Sequence, residues 1–204
     1  MSATNRGSER EKLDQYPTPP WCVDRLLEAL PLATYGKDWL EPCAGSGSII
    51  QAVNSSGLGT PNWSACEIDD EYEDGLRNLV GEDNLCMGDF FANTTATWEK
   101  KPFDVVITNP PYGLALEFVK RCFLLAPMVI MLLRLNFLES EERSAWMQAH
   151  PPDVYVLPNR PSFVKGGSDN CAYGWLVWHT DVDMHCGCLR ILNSTPLAVR
   201  KLKG

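Results

Sequence analysis

"DWLEPCAGSGSIIQAVNSS", residues 38–56, changes character across one tight turn. "DWLEP" reads as a short strand that stops at a proline, and "SGSIIQAVNSS" reads as a helix. Gly45 and Gly47 sit in the joint, where a chain passing from strand to helix needs unusual dihedrals or a close approach of backbone to ligand. A strand, a glycine turn and a helix together present backbone amides at a helix N-terminus to a ligand. The pattern lacks the third glycine of the dinucleotide-binding fingerprint. A turn of this kind can also be a plain connection, so its neighbours must decide.

Outward from that turn the same alternation continues. "WSACEI", "NLCMGD", "FDVVITN" and "PMVIMLLRL" suit strands, and "DEYEDGLRNLV" and "GLALEFVKRCFLL" suit helices between them. A further helix, "WCVDRLLEAL" (21–30), precedes the turn with Pro19 and Pro20 at its start. Strand and helix in alternation predict an α/β fold, a doubly wound, Rossmann-like and mostly parallel sheet. Such sheets bind ligands outside the carboxyl ends of their strands. The tail differs: "DVYVLP" and "CAYGWLVWHT" are strand-like with no helix between them. They predict an antiparallel closing edge, with "NRPSFVKGGSDN" (159–170) as a loop over the same rim. Residues 1–15 are polar and read as a flexible segment ahead of a single domain, 16–204.

Composition narrows the class. The 204 residues are 45% hydrophobic and 22% charged, which suits a globular protein with a full core and excludes fibrous and disordered classes. The longest apolar stretch, Ala126 to Leu133, falls far short of the roughly 20 residues of a membrane-spanning helix. The N-terminus has no apolar core of the signal-peptide kind. A cytoplasmic protein with no membrane partner is therefore expected. Eight cysteines then read as reduced thiols in apolar runs. "HCGC" (185–188) lacks a second ligand pair at zinc-finger spacing, so no metal is expected. The net charge, 18 − 26 = −8, argues against coating nucleic acid by bulk electrostatics. Any such partner would be met locally, and 151–204 carries six Lys or Arg against four Asp.

Three strand ends carry chemistry. Glu67 in "ACEIDD" lies twenty residues after Gly47, where a carboxylate partners ribose hydroxyls in a Rossmann-type site; otherwise it begins an acidic helix cap. Asp89 in "MGDFF" can accept from the exocyclic amine of an adenine, or it can N-cap a helix. "FDVVITNPPYG" (103–113) ends a buried strand at Asn109, Pro110, Pro111 and Tyr112. The second proline restricts the first to extended conformations, so this end is rigid. An amine conjugated to an aromatic or carbonyl system is a poor nucleophile because its lone pair is delocalised. The Asn109 side-chain oxygen and the Pro110 carbonyl could accept both of its hydrogens and draw the nitrogen toward sp³ character. Tyr112 would offer a flat face to a planar substrate.

"YPTPPWCVDRLLEAL", "LEPCAGSGSII", "CEIDD", "GDFF" and "ITNPPYG", in this order, resemble the successive motifs of S-adenosylmethionine-dependent N6-adenine DNA methyltransferases, particularly the short ones of phages and prophages. The resemblance covers residues 16–135. It implies that Tyr16, Thr18 and the turn of Glu41, Pro42, Cys43, Ala44, Gly45 and Gly47 surround the methionine part of the cofactor. It implies Glu67 at the ribose, Asp89 at the adenine, Ile68 and Phe90 beside the cofactor, and Asn109 to Tyr112 at the target amine, with Asn109 also beside the cofactor. Cys43 departs from the commonest form of the turn, at a place that takes small residues. The loop 159–170 looks like the family's late loop, in which Phe163 would pack against a flipped base opposite Tyr112, and Arg160 and Lys165 would meet phosphate. The other reading of Phe163 is a plug under a long loop. NPPY-type motifs also occur in enzymes that methylate RNA bases or protein glutamine, and a non-catalytic subunit of this fold is a third reading. With about 120 residues assigned to cofactor and catalysis, a short or relaxed recognition site is expected, or specificity shared by a homodimer.

Overall fold

The computed structural model describes residues 17–92, 98, 102–163, 171–180 and 187–200. Tyr16, Lys165, the N-terminal segment, residues 164–170 of the late loop, and His185 and Cys186 of "HCGC" lie outside the described residues.

Eight strands form one sheet: β1 (Asp38–Glu41), β2 (Asn62–Glu67), β3 (Leu85–Met87), β4 (Val105–Thr108), β5 (Met128–Arg134), β6 (Asp153–Val156), β7 (Tyr173–His179) and β8 (Leu189–Ile191). Their order is β3-β2-β1-β4-β5-β7-β6-β8. Every neighbouring pair is parallel except the two that involve β7. The helices are α1 (Pro20–Ala29), α2 (Ser48–Ser55), α3 (Glu73–Val80), α4 (Ala115–Cys122), α5 (Glu141–Ala149) and a last turn, α6 (Leu197–Arg200).

Both faces of the sheet are covered, and the strands record it residue by residue. In β5, Met128, Ile130 and Leu132 belong to one hydrophobic cluster and Val129, Met131 and Leu133 to the other. The first cluster holds the inner faces of α1, α2 and α3, and the second that of α4. Continuous apolar runs are what a sheet buried on both sides requires. α1 is tied to the sheet by a hydrogen bond of 2.8 Å from Trp175 Nε1 to the Cys22 carbonyl. At the opposite rim the Asp104 carboxylate accepts from the Lys37 and Asp38 amides at 2.7 and 2.8 Å, which starts β1 beside β4.

The first five strands and the four helices before and between them stand where the sequence places them. Three features differ. The β6–β7 pair is antiparallel, as expected, but it does not close the edge: β7 inserts between β5 and β6. All seven of its residues are buried, which suits an interior position. β8, a three-residue strand, forms the edge instead, with Leu189 and Ile191 exposed. α5 follows β5 without a sequence signal, because none of its residues is fully buried and it shows no apolar stripe.

Because β6 runs parallel to β5 and β7 runs back, the segment after Val156 leaves β6 at the carboxyl rim and returns to β7 there. The late loop therefore departs from the expected rim. The order also reverses between β1 and β4, and a crevice forms outside their carboxyl ends at such a switch point.

Candidate active site

A cavity of about 300 Å³ lies at that switch point. After β1 it is lined by Glu41, Pro42, Cys43, Ala44 and Gly45, after β2 by Glu67 and Ile68, after β3 by Asp89 and Phe90, and after β4 by Asn109 and Pro111. Thr18, 4% exposed, closes it from the segment before α1. Thus Glu41, Glu67, Asp89, Asn109 and Pro111 share one pocket.

The glycine turn is held by Glu67. Its Oε2 accepts from the Gly45 amide at 2.6 Å, and its Oε1 accepts from the Ile68 and Asp69 amides at 2.9 Å each. One carboxylate so locks the turn after β1 to the end of β2. Gly47 plays a different part from the one implied: it does not line the cavity but begins α2 with φ +73°, and a Cβ there would stand 2.5 Å from the Leu79 side chain. Gly45, with φ +51°, faces open space, and a Cβ there would meet no atom within 4 Å.

Glu41 is 2% exposed, and its Oε2 has no hydrogen-bond partner. Burial pushes its carboxyl well above the usual range, the Ile50 amide opposes that rise, and the negative charge of Glu67 adds to it. Burial also raises the Cys43 thiol, so this cysteine is not a reactive thiolate. Asp89 does cap the turn that follows: its Oδ1 accepts from the Phe91 amide at 2.8 Å while the residue lines the cavity.

Sequence reasoning missed one wall. Leu114 and Phe118, at the start of α4 and within it, line the cavity, and Phe118 stacks on Phe90 with centroids 5.2 Å apart and planes 8° from parallel. Phe118 reads in sequence as ordinary helix core. Only the packing of α4 against β5, with Phe118 on Phe90 after β3, places it in the cavity wall. Among described residues there is no group of three metal-ligating side chains, the described cysteines are free thiols, and no helix is long and apolar enough to cross a membrane.

Asn109 stands between two hydroxyls. Its Nδ2 donates to Thr18 Oγ1 at 3.2 Å, and its Oδ1 accepts from the Tyr112 hydroxyl at 3.1 Å. Pro110 is buried and, like Tyr112, stands outside the cavity lining. Beyond Asn109 the rings continue: Tyr112 lies 5.9 Å from Tyr173, and Phe163 meets Tyr173 edge-on at 5.1 Å. Phe163 is thus one ring removed from Tyr112. Arg160 is exposed on the same loop.

No family model matches the chain, and no curated protein matches it. Solved structures do. A protein of Pyrococcus horikoshii provisionally described as an RNA methyltransferase aligns at TM-score 0.61 and 20% identity, over 87% of this chain and 94% of its own. A Listeria monocytogenes protein provisionally described as a class I S-adenosylmethionine-dependent methyltransferase aligns at 0.60 and 16% identity, over 88% and 66%. The methyltransferase subunit of a type I restriction-modification system from Streptococcus thermophilus aligns at 0.61 and 16% identity; 82% of this chain matches 44% of that one. The chain has the class I methyltransferase fold. Its cavity occupies the switch point of that fold.

Proposed function

We propose that this protein transfers a methyl group from S-adenosylmethionine to the exocyclic N6 amine of adenine in DNA. One observation carries the reading: the cavity that holds Glu41, Gly45, Glu67 and Asp89 also reaches Asn109, so a cofactor pocket and an amine-binding side chain are continuous. The residues suit the cofactor. The amides at the start of α2 favour a carboxylate, and the buried, unpartnered Glu41 oxygen favours the ammonium beside it. Glu67 suits the ribose, and the slot beside Phe90 and Phe118 suits a purine ring.

Bound there, S-adenosylmethionine would supply an electrophilic methyl carbon: the substrate nitrogen's pair would form the new N–C bond, the C–S pair would stay on sulfur, and the nitrogen would release one proton to solvent. Asn109 Oδ1 and the Pro110 carbonyl accept the amine's hydrogens and localise its lone pair. Thr18 orients the amide so that its oxygen faces the amine. The target base leaves its stack to reach this depth.

The shared fold supports methyl transfer, and the aligned structures include one provisionally described as an RNA methyltransferase and the methyltransferase subunit of a restriction-modification system. RNA is therefore the second substrate to assay. The test is mass spectrometry of nucleosides and peptides after incubating DNA, RNA and protein with labelled S-adenosylmethionine. N6-methyladenine in DNA is the expected product. Label confined to RNA or to glutamine would replace the substrate, and absence of label with cofactor bound would leave a non-catalytic subunit.

A further inference from the structure

Arg134, the last residue of β5, stands at the carboxyl rim in register with Tyr173 of β7. Its guanidinium carbon lies 4.7 Å above the Tyr112 ring, and its Nε donates to the Tyr173 hydroxyl at 3.0 Å. A guanidinium is planar and delocalised and stacks on an aromatic face much as a nucleobase does. Arg134 therefore covers the surface that a substrate base would use. No strand-end motif in the sequence points to it.

We propose that Arg134 is the substrate-positioning residue of this site: it yields the Tyr112 face to the incoming base and holds a phosphate of the same strand. This rests on the nucleic-acid reading above. The Nε–H bond to Tyr173 serves as a pivot, and the two terminal nitrogens form the fork that binds phosphate oxygens in pairs. Tyr173 is fully buried, so the pivot is fixed. Stacking of a base on tyrosine is worth at least as much as a partly exposed guanidinium contact. Exchange of one for the other therefore costs little. A protein of net charge −8 also needs a cation placed at the site itself. A swing of the guanidinium about that pivot frees the ring of Tyr112.

The test compares wild type with Arg134→Ala and Arg134→Lys, by steady-state methylation of DNA at several salt concentrations. Melting temperature and S-adenosylhomocysteine affinity are measured alongside. Arg134→Ala should raise KM for DNA by about tenfold, with a much smaller change in kcat and none in cofactor affinity. The slope of log(kcat/KM) against log salt should fall by about one, the loss of one phosphate contact. Arg134→Lys keeps the charge and should restore the slope, with KM only partly recovered because the flat fork is gone. DNA methylation by the alanine variant with unchanged KM and slope overturns the assignment of Arg134 alone, as does a loss that only tracks a lower melting temperature. A wild-type protein that methylates no nucleic acid removes the underlying reading and this proposal with it.

Discussion

Asn109 makes side-chain hydrogen bonds to two hydroxyls, one on Thr18 and one on Tyr112. The first fixes the orientation of the amide, with its nitrogen toward Thr18. Replacement by alanine should abolish methyl transfer and leave cofactor affinity nearly unchanged, a split that paired calorimetry and turnover measurements would show; wild-type turnover would refute amine activation by this residue. Glu67 has a structural duty as well as its place in the cavity. Its removal leaves the Gly45, Ile68 and Asp69 amides without their acceptor, so Glu67→Ala should cost about 2–3 kcal/mol of stability, read by denaturant unfolding, as well as weaken cofactor binding. Glu41 gives a pH signature. Burial raises its carboxyl in the folded state above the unfolded value of about 4.3. Its contribution to stability is therefore fully present below that value and is lost as pH rises through the folded value. Glu41→Gln, which cannot ionise, should be more stable than wild type near neutrality and lose that advantage as the pH is lowered toward about 4. Melting curves across this range would check it.

At the scale of an element, the turn between β1 and α2 shows two glycines required for different reasons. Gly47 begins the helix in the left-handed region and lets Leu79 and Leu76 of α3 pack against it, with a Cβ 2.5 and 3.3 Å from those side chains. Gly47→Ala adds strain to overlap and should cost about 2–3 kcal/mol. Gly45→Ala meets no neighbour and carries only the left-handed penalty of about 1–2 kcal/mol. Its methyl enters the cavity side, so the larger loss should appear in cofactor affinity. Comparing melting shifts with binding constants for the two variants separates packing from ligand approach. Equal losses of stability would show that the overlap at Gly47 relaxes.

Across the whole molecule, stability follows the order of the sheet. β5 pairs over four residues with β4 and over seven with β7, and both β5 and β7 are buried along nearly their whole length. β8 has three exposed residues and a pairing on one side. Hydrogen exchange should find the β5 and β7 amides open only on global unfolding and those of β8 open by local fraying. Protection of β8 equal to that of β5 would mean that the edge is covered by something beyond the described residues.

Much of this architecture was legible before any coordinates. Alternating strands and helices imply a parallel sheet, and a parallel sheet brings every strand's carboxyl end to one rim. That is why Glu67, Asp89 and Asn109 could be expected at one rim from their positions at strand ends, with Glu41 joining them through the resemblance. Burial on two faces likewise shows in unbroken apolar runs such as that of β5. Periodicity reports how each segment is buried, however, and not which segment lies beside it. Strand order depends on pairings across long stretches of chain, so the insertion of β7 and the edge position of β8 appear only in the fold. The same holds for Phe118, whose inward face reads as core whether it meets a helix or a ligand. It holds for the contact between Thr18 and Asn109, 91 residues apart, and for Arg134 above Tyr112. No local pattern marks such pairs, because what brings their side chains together is the packing of β5, β7 and the diproline turn onto one rim.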